Sequence, residues 1–203
     1  MHALVFDVDG TLLQPSALDE TLYRESVEAV LGPVWFRKTL NEYTHVTDSG
    51  ILLQVFEDNG IVAETELIER IQRLFCRRLE SCIAELGPIP EVEGARDLVR
   101  RASLSDDHVV AIATGGWRPS AELKLRTAGF DLGGVPLASS DDAVDRREIM
   151  RHALSHLGTE FESIVYFGDA IWDKVACESL GWRFQAVGPK LDGLRSFRGL
   201  RFG

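Results

Sequence analysis

Apolar residues recur along this chain in two rhythms, and their alternation predicts the architecture. Short apolar runs stand at 3–8, 109–113, 134–138 and 164–167, with a weaker one at 182–187. Runs of that length, bounded by Gly, Asp or Ser, read as buried strands. Between them the apolar positions fall three and four apart. Residues 94–103 align Ala95, Leu98, Val99 and Ala102; residues 117–128 align Ala121, Leu125 and Ala128 before Gly129; residues 145–157 align Ile149, Ala153, Leu154 and Leu157 before Gly158. A glycine just past such a stripe is a common helix stop. Strands alternating with helices after residue 90 predict an α/β protein with a parallel sheet covered on both faces.

The stretch 15–86 departs from that rhythm, because it carries helical patterns and no strand. Residues 19–31 place Leu22, Tyr23, Ser26, Val27, Val30 and Leu31 at helical spacing. Residues 64–86 do so more strongly, with Leu67, Ile68, Ile71, Leu74, Phe75, Leu79, Cys82, Ile83 and Leu86. That stripe is wider than a coiled-coil seam and fits packing inside a small helical bundle. Pro15 and the run Gly87-Pro88-Ile89-Pro90 bound the bundle as hinges. The domain reading is therefore a core of 1–14 and 87–203 around a helical insertion of 15–86. The basic, Gly-rich tail from Gly188 to Gly203 is expected to be mobile in part.

Composition narrows the partners. Of 203 residues 45% are hydrophobic and 27% charged, enough apolar material for a sizeable core. Lys and Arg number 22 against 32 Asp and Glu, a net charge of -10. Such a field repels nucleic acids and anionic membranes, so neither is expected as a partner. An anionic substrate would need local cations or a metal. Cys76, Cys82 and Cys177 show no metal-site spacing and read as buried small side chains in a reducing compartment. With no basic leader and no long apolar segment, a cytoplasmic protein is expected. Nothing in the sequence sets the oligomeric state.

The candidate chemistry lies at strand ends. The first run closes in Asp7-Val8-Asp9-Gly10-Thr11, and strand alternation would send both acids the same way. A solvated acidic turn explains that run on its own. Two further strand ends change its meaning. Ala111-Ile112-Ala113-Thr114-Gly115-Gly116 offers a hydroxyl and backbone N–H groups to a phosphate. Ile164-Val165-Tyr166-Phe167-Gly168-Asp169 ends in a carboxylate, with Asp173 one helical turn on. Oxygen ligands from Asp7, Asp9 and Asp169 suit Mg²⁺. Arg146 and Arg147 are cations at the start of a predicted helix.

Together these runs resemble the haloacid dehalogenase superfamily of aspartyl-phosphate hydrolases. Its first motif stands as Asp7-Val8-Asp9-Gly10-Thr11-Leu12, its second as Ile112-Ala113-Thr114, and its fourth as Gly168-Asp169-Ala170-Ile171-Trp172-Asp173. The third motif, a lone Lys or Arg, fits Arg146 best, then Arg147, then Lys124; the family usually has Lys there. The resemblance implies a Rossmann-like sheet with an inserted α-helical cap, and a Mg²⁺-dependent phosphatase acting on a small phosphorylated metabolite. It implies Asp7 as nucleophile and Asp9 as general acid and base. Thr114 and the Gly115 N–H would bind the phosphoryl oxygens, and Arg146 would neutralise charge. The metal would be held by Asp7, the main-chain carbonyl of Asp9 and Asp169, with Asp173 ordering the site. A phosphomutase, a 2-haloacid dehalogenase and a catalytically idle binding module are the alternatives; the acid at position 9 favours phosphoryl chemistry over dehalogenation.

In the cap, the loop Thr44-His45-Val46-Thr47-Asp48-Ser49-Gly50 resembles the substrate-facing loop of phosphoglycolate-phosphatase-like members, which implicates His45, Thr47 and Asp48. Asp48 or Ser49 serves equally as the N-cap of a helix starting at Ile51. Trp117 reads either as a wall of the leaving-group pocket or as a packed core residue.

Overall fold

The structure, a computed structural model, describes residues 1–158 and 160–201. Five parallel strands, β1 (His2–Phe6), β2 (His108–Ala113), β3 (Leu137–Ala138), β4 (Ser163–Gly168) and β5 (Arg183–Ala186), form one sheet in the order β3-β2-β1-β4-β5. β1 is central, and its alternation divides the core. Leu4 and Phe6 face a cluster with Leu98, Ala121 and Leu125, whereas Ala3 and Val5 face Ile149, Met150 and Ala153. Among the described residues seven α-helices complete the fold: α1 (Leu18–Leu31), α2 (Asp48–Asp58), α3 (Thr65–Leu86), α4 (Ala95–Ser103), α5 (Arg118–Thr127), α6 (Arg146–Ser155) and α7 (Ile171–Leu180). The apolar stripes of α4 and α5 cover one face of the sheet; those of α6 and α7 cover the other.

The first three helices lie between β1 and α4 and have a core of their own. Ile71, Phe75, Leu79 and Ile83, four apart on α3, pack with Leu22, Tyr23 and Val27 of α1 and Leu52, Val55 and Phe56 of α2. The stripe of α3 is thus filled from within the insertion and by Trp117 at the start of α5, which meets Phe75 edge-on. Where the chain leaves and rejoins the sheet layer, the two segments are joined by backbone hydrogen bonds, Gln14 N–H to Pro90 O (2.8 Å) and Val92 N–H to Leu12 O (2.9 Å).

Some expectations change. The run at 134–138 yields only the two-residue β3. Cys177 is buried, but Cys76 and Cys82 are half-buried; all three are free thiols. The tail is anchored: Phe197 is fully buried and meets Phe6 and Phe167 edge-on at 6.3 and 6.0 Å. Phe202 and Gly203 lie outside the described residues. The first helix of the 44–50 region begins earlier than expected, at Asp48, with Thr47 as its N-cap. Thr47 wins because its side chain accepts the Gly50 N–H (3.1 Å), in the ordinary N-cap manner. Among the described residues no helix is long and apolar enough to cross a membrane.

Candidate active site

Strand register builds the site. Phe6 pairs with Ile112 on one side and Phe167 on the other, so the three strands run out at one level. Asp7, Thr114 and Asp169 follow within two residues, at the carboxyl edge where open α/β sheets hold ligands. The Asp7 N–H still donates to Phe167 O (3.0 Å), and the Thr114 N–H to Ala138 O (3.0 Å). Beyond Asp7 the chain wraps onto the Val8 carbonyl, which accepts from Thr11, Leu12 and Leu13. Gly10 makes this turn possible with φ +79°; a Cβ there would lie 2.3 Å from Asp169 Oδ2.

The strand ends at Phe6, so both acids stand in the turn beyond it; they line one cavity but meet different cations. Asp7 is buried and faces Arg146 Nη1 at 3.5 Å. Asp9 is bound on both oxygens by the Lys124 ammonium, at 2.8 and 2.6 Å. Arg146, the first residue of α6, also lies 3.3 Å from Asp173, which is fully buried and accepts the Ala170 N–H (3.3 Å). Arg147 points away, into an exposed pair with Asp145. Of the three third-motif candidates, then, the structure brings Arg146 to Asp7, Lys124 to Asp9, and Arg147 to neither.

Oxygens of Asp7, Asp169 and Asp173 lie within 4.8 Å of one another. Burial drives the Asp7 carboxyl well above the usual carboxylate range against the pull of Arg146, and the charges of Asp173, Asp169 and Asp9 raise it further. Asp173 is raised too, first by burial. Three crowded, desolvated carboxyls fit a hard divalent cation, which would relieve both penalties.

A cavity of about 350 Å³ opens over these groups, lined by Asp7, Asp9, Thr114, Gly115, Arg146 and Asp169 below and by Tyr23, Phe36, Tyr43, Ile51 and Phe75 of the helical insertion above. Thr47 and Asp48 also line it. The Thr47 hydroxyl donates to Val144 O (2.9 Å), and the Asp48 N–H donates to Gly115 O (2.7 Å), so this loop is tied directly to the Thr114 strand end. Asp48 Oδ2 accepts the Trp117 N–H (3.0 Å), and burial pushes its carboxyl up to about 7. His45 does not join the lining; it packs against Gly50, where an added Cβ would lie 2.6 Å from the His45 Cβ. Trp117 is fully buried, stacked on Tyr23 at 5.2 Å, and is a core residue rather than a wall.

Two lining residues were invisible to the sequence reading. Asp19 opens α1 and meets Lys124 at 3.2 Å; a first-turn acid looks like ordinary dipole compensation. Lys190, in the loop after β5, reaches Asp169 Oδ2 at 2.6 Å, and no local pattern marks it. Lys124 did leave a signal, since it lies on the Ala121–Leu125–Ala128 stripe, an apolar face where a cation needs a partner.

The family model of haloacid dehalogenase-like hydrolases matches residues 1–181. None of the curated proteins matches. Among solved structures, a hydrolase from Pseudomonas syringae is similar at TM-score 0.70 and 20% identity, over 92% of this chain and 84% of that one. CbbY from Rhodobacter sphaeroides in complex with phosphate is similar at TM-score 0.68 and 25% identity, over 98% and 89%. A mutant of CbbY in complex with xylulose-(1,5)bisphosphate gives TM-score 0.67 and 25% identity over the same shares. Fold, strand-end acids and the family match agree: the chain belongs to the haloacid dehalogenase-like hydrolases.

Proposed function

We propose that this hydrolase is a Mg²⁺-dependent phosphatase of small phosphate monoesters, working through an aspartyl phosphate on Asp7. The observation that carries the reading is the convergence of Asp7, Asp169 and Asp173 on one point, with Arg146 beside Asp7 and Asp9 facing the same cavity. The similar CbbY structures hold phosphate and a sugar bisphosphate, which supports phosphoryl chemistry.

The Asp7 carboxylate attacks phosphorus in line with the ester oxygen, and the alkoxide leaves as the P–O bond breaks. Asp9 delivers a proton to that oxygen, then takes one from the water that hydrolyses the acyl phosphate. The Thr114 hydroxyl and Gly115 N–H receive the phosphoryl oxygens, and Arg146 offsets their charge. Asp7, Asp169 and the Asp9 carbonyl would hold Mg²⁺, with Asp173 fixing Arg146 beside them; bound there, the ion supplies charge neutralisation for the phosphoryl group. The helices of the insertion close the cavity from above and limit water access.

Asp7→Asn is expected to abolish Mg²⁺-dependent hydrolysis of p-nitrophenyl phosphate, a loss of at least about a thousandfold for a missing nucleophile, with the circular dichroism spectrum unchanged. Turnover by the variant at the wild-type rate would sink the assignment.

A further inference from the structure

Lys124 is the most deeply buried ammonium of the site, with a side chain 3% exposed, yet it sits on a helix of the sheet layer and reaches both the cavity and the insertion. An ammonium has three hydrogens, and three carboxylate oxygens surround this one: Asp9 Oδ1 at 2.8 Å, Asp9 Oδ2 at 2.6 Å and Asp19 Oδ2 at 3.2 Å. Asp9 belongs to the loop after β1, and Asp19 to the first turn of α1. Asp9 is 38% exposed and stays in reach of solvent, whereas Asp19 is 25% exposed, with its Oδ1 buried and its carboxyl raised to about 6, first by burial. The lysine, at 3% exposed, is the most desolvated of the three, and an apolar residue would suit that stripe of α5 better if stability were its only role. The pairing also assigns the two acids of the first motif to different cations. Arg146 faces Asp7 and Asp173, while Lys124 takes Asp9 together with Asp19.

We infer that Lys124 is a positioning residue: it aims the Asp9 carboxylate at the leaving-group side of the cavity and, through Asp19, makes that aim depend on α1 being seated. The inference rests on the reading of Asp9 as proton carrier. Asp9 enters a glycine-containing turn and its side chain meets only Lys124 and Asp19 among the described contacts; the lysine holds both of its oxygens and so sets its direction. When α1 is displaced, Lys124 loses one of its three acceptors and the Asp9 carboxylate loses its fixed direction. Proton delivery to the leaving oxygen is thereby tied to a closed cavity.

The test is the leaving-group dependence of hydrolysis for Lys124→Met and Asp19→Asn, measured with an alkyl phosphate and with p-nitrophenyl phosphate, whose phenolate needs little protonation. Compared by kcat/KM, which reports phosphoryl transfer and not the shared hydrolysis of the aspartyl phosphate, Lys124→Met is expected to lose about a hundredfold on the alkyl ester, the lower range for a lost general acid, and only a few-fold on the nitrophenyl ester. Asp19→Asn should show the same selectivity more weakly. In the Asp9→Asn background, Lys124→Met should add no further loss. Equal losses for both esters, or an additive loss in that background, overturn the inference, because a purely structural lysine would act that way. If Lys124→Met does not fold, Asp19→Asn decides, and its indifference to leaving group is the overturning result. Asp9→Asn separates the two failures. Undiminished alkyl-ester turnover there overturns the role of Asp9 and the inference with it. Loss there beside wild-type behaviour of Lys124→Met overturns the inference alone.

Discussion

Single residues at this site are held in charge states that their surroundings oppose, and Asp48 shows it in measurable form. Its carboxyl ordinarily titrates near 3.8 and is pushed up to about 7, first by burial. A raised acid binds its proton more tightly when folded, so its contribution is fully present below about pH 4 and is lost as the pH rises through about 7. Asp48→Asn keeps an acceptor for the Trp117 N–H and removes the charge. The melting temperature of the variant should therefore gain on wild type progressively between pH 4 and 7 and hold a constant lead above that. A lead independent of pH would show that Asp48 does not titrate in this window. Legibility at this scale was uneven. Asp7, Thr114 and Asp169 were readable because each ends an apolar run, and the register of parallel strands then brings them together. His45 was misplaced, since a polar loop says which residues are near a cavity but not which side chains turn into it.

At the level of elements, helix stripes and strand runs gave most boundaries within a residue or two, because each stripe has one face of the sheet to cover. What failed were features set by tertiary contact. The expected strand at 134–138 shortened to Leu137–Ala138, and the tail was fixed by one phenylalanine rather than by any periodicity. The loop after β5 belongs to the same class: its Lys190 is 59% exposed, yet its ammonium occupies Asp169 Oδ2, on a carboxylate proposed above to hold Mg²⁺. An ammonium so exposed is displaced at small cost. Lys190→Ala should accordingly bind Mg²⁺ a few-fold more tightly by titration calorimetry, since one competitor for that oxygen is gone. Unchanged or weaker affinity would mean that the lysine does not contend with the ion.

Across the whole molecule, the insertion and the sheet layer share one seam, and Trp117 sits at its centre. It belongs to the loop entering α5, yet its ring stacks on Tyr23 and meets Phe75 edge-on at 5.5 Å, and its Nε1–H donates to Ser49 Oγ at 3.0 Å. Trp117→Ala should cost about 3–5 kcal/mol, as for other buried tryptophans, seen as a lower urea midpoint. A shift under about 1 kcal/mol would mean the seam closes without it. The change of rhythm between Pro15 and the Gly-Pro run was legible in the sequence; the seam was not, since a tryptophan beside a strand end carries no mark of which layer it serves. The paired hydrogen bonds at Gln14–Pro90 and Leu12–Val92 bear on heredity as much as on mechanics. They bring the two ends of the insertion together on the sheet side, so a lineage can lengthen, shorten or exchange everything between them without altering a strand. Substrate preference can then drift while the chemistry stays fixed, provided each replacement still shelters Trp117.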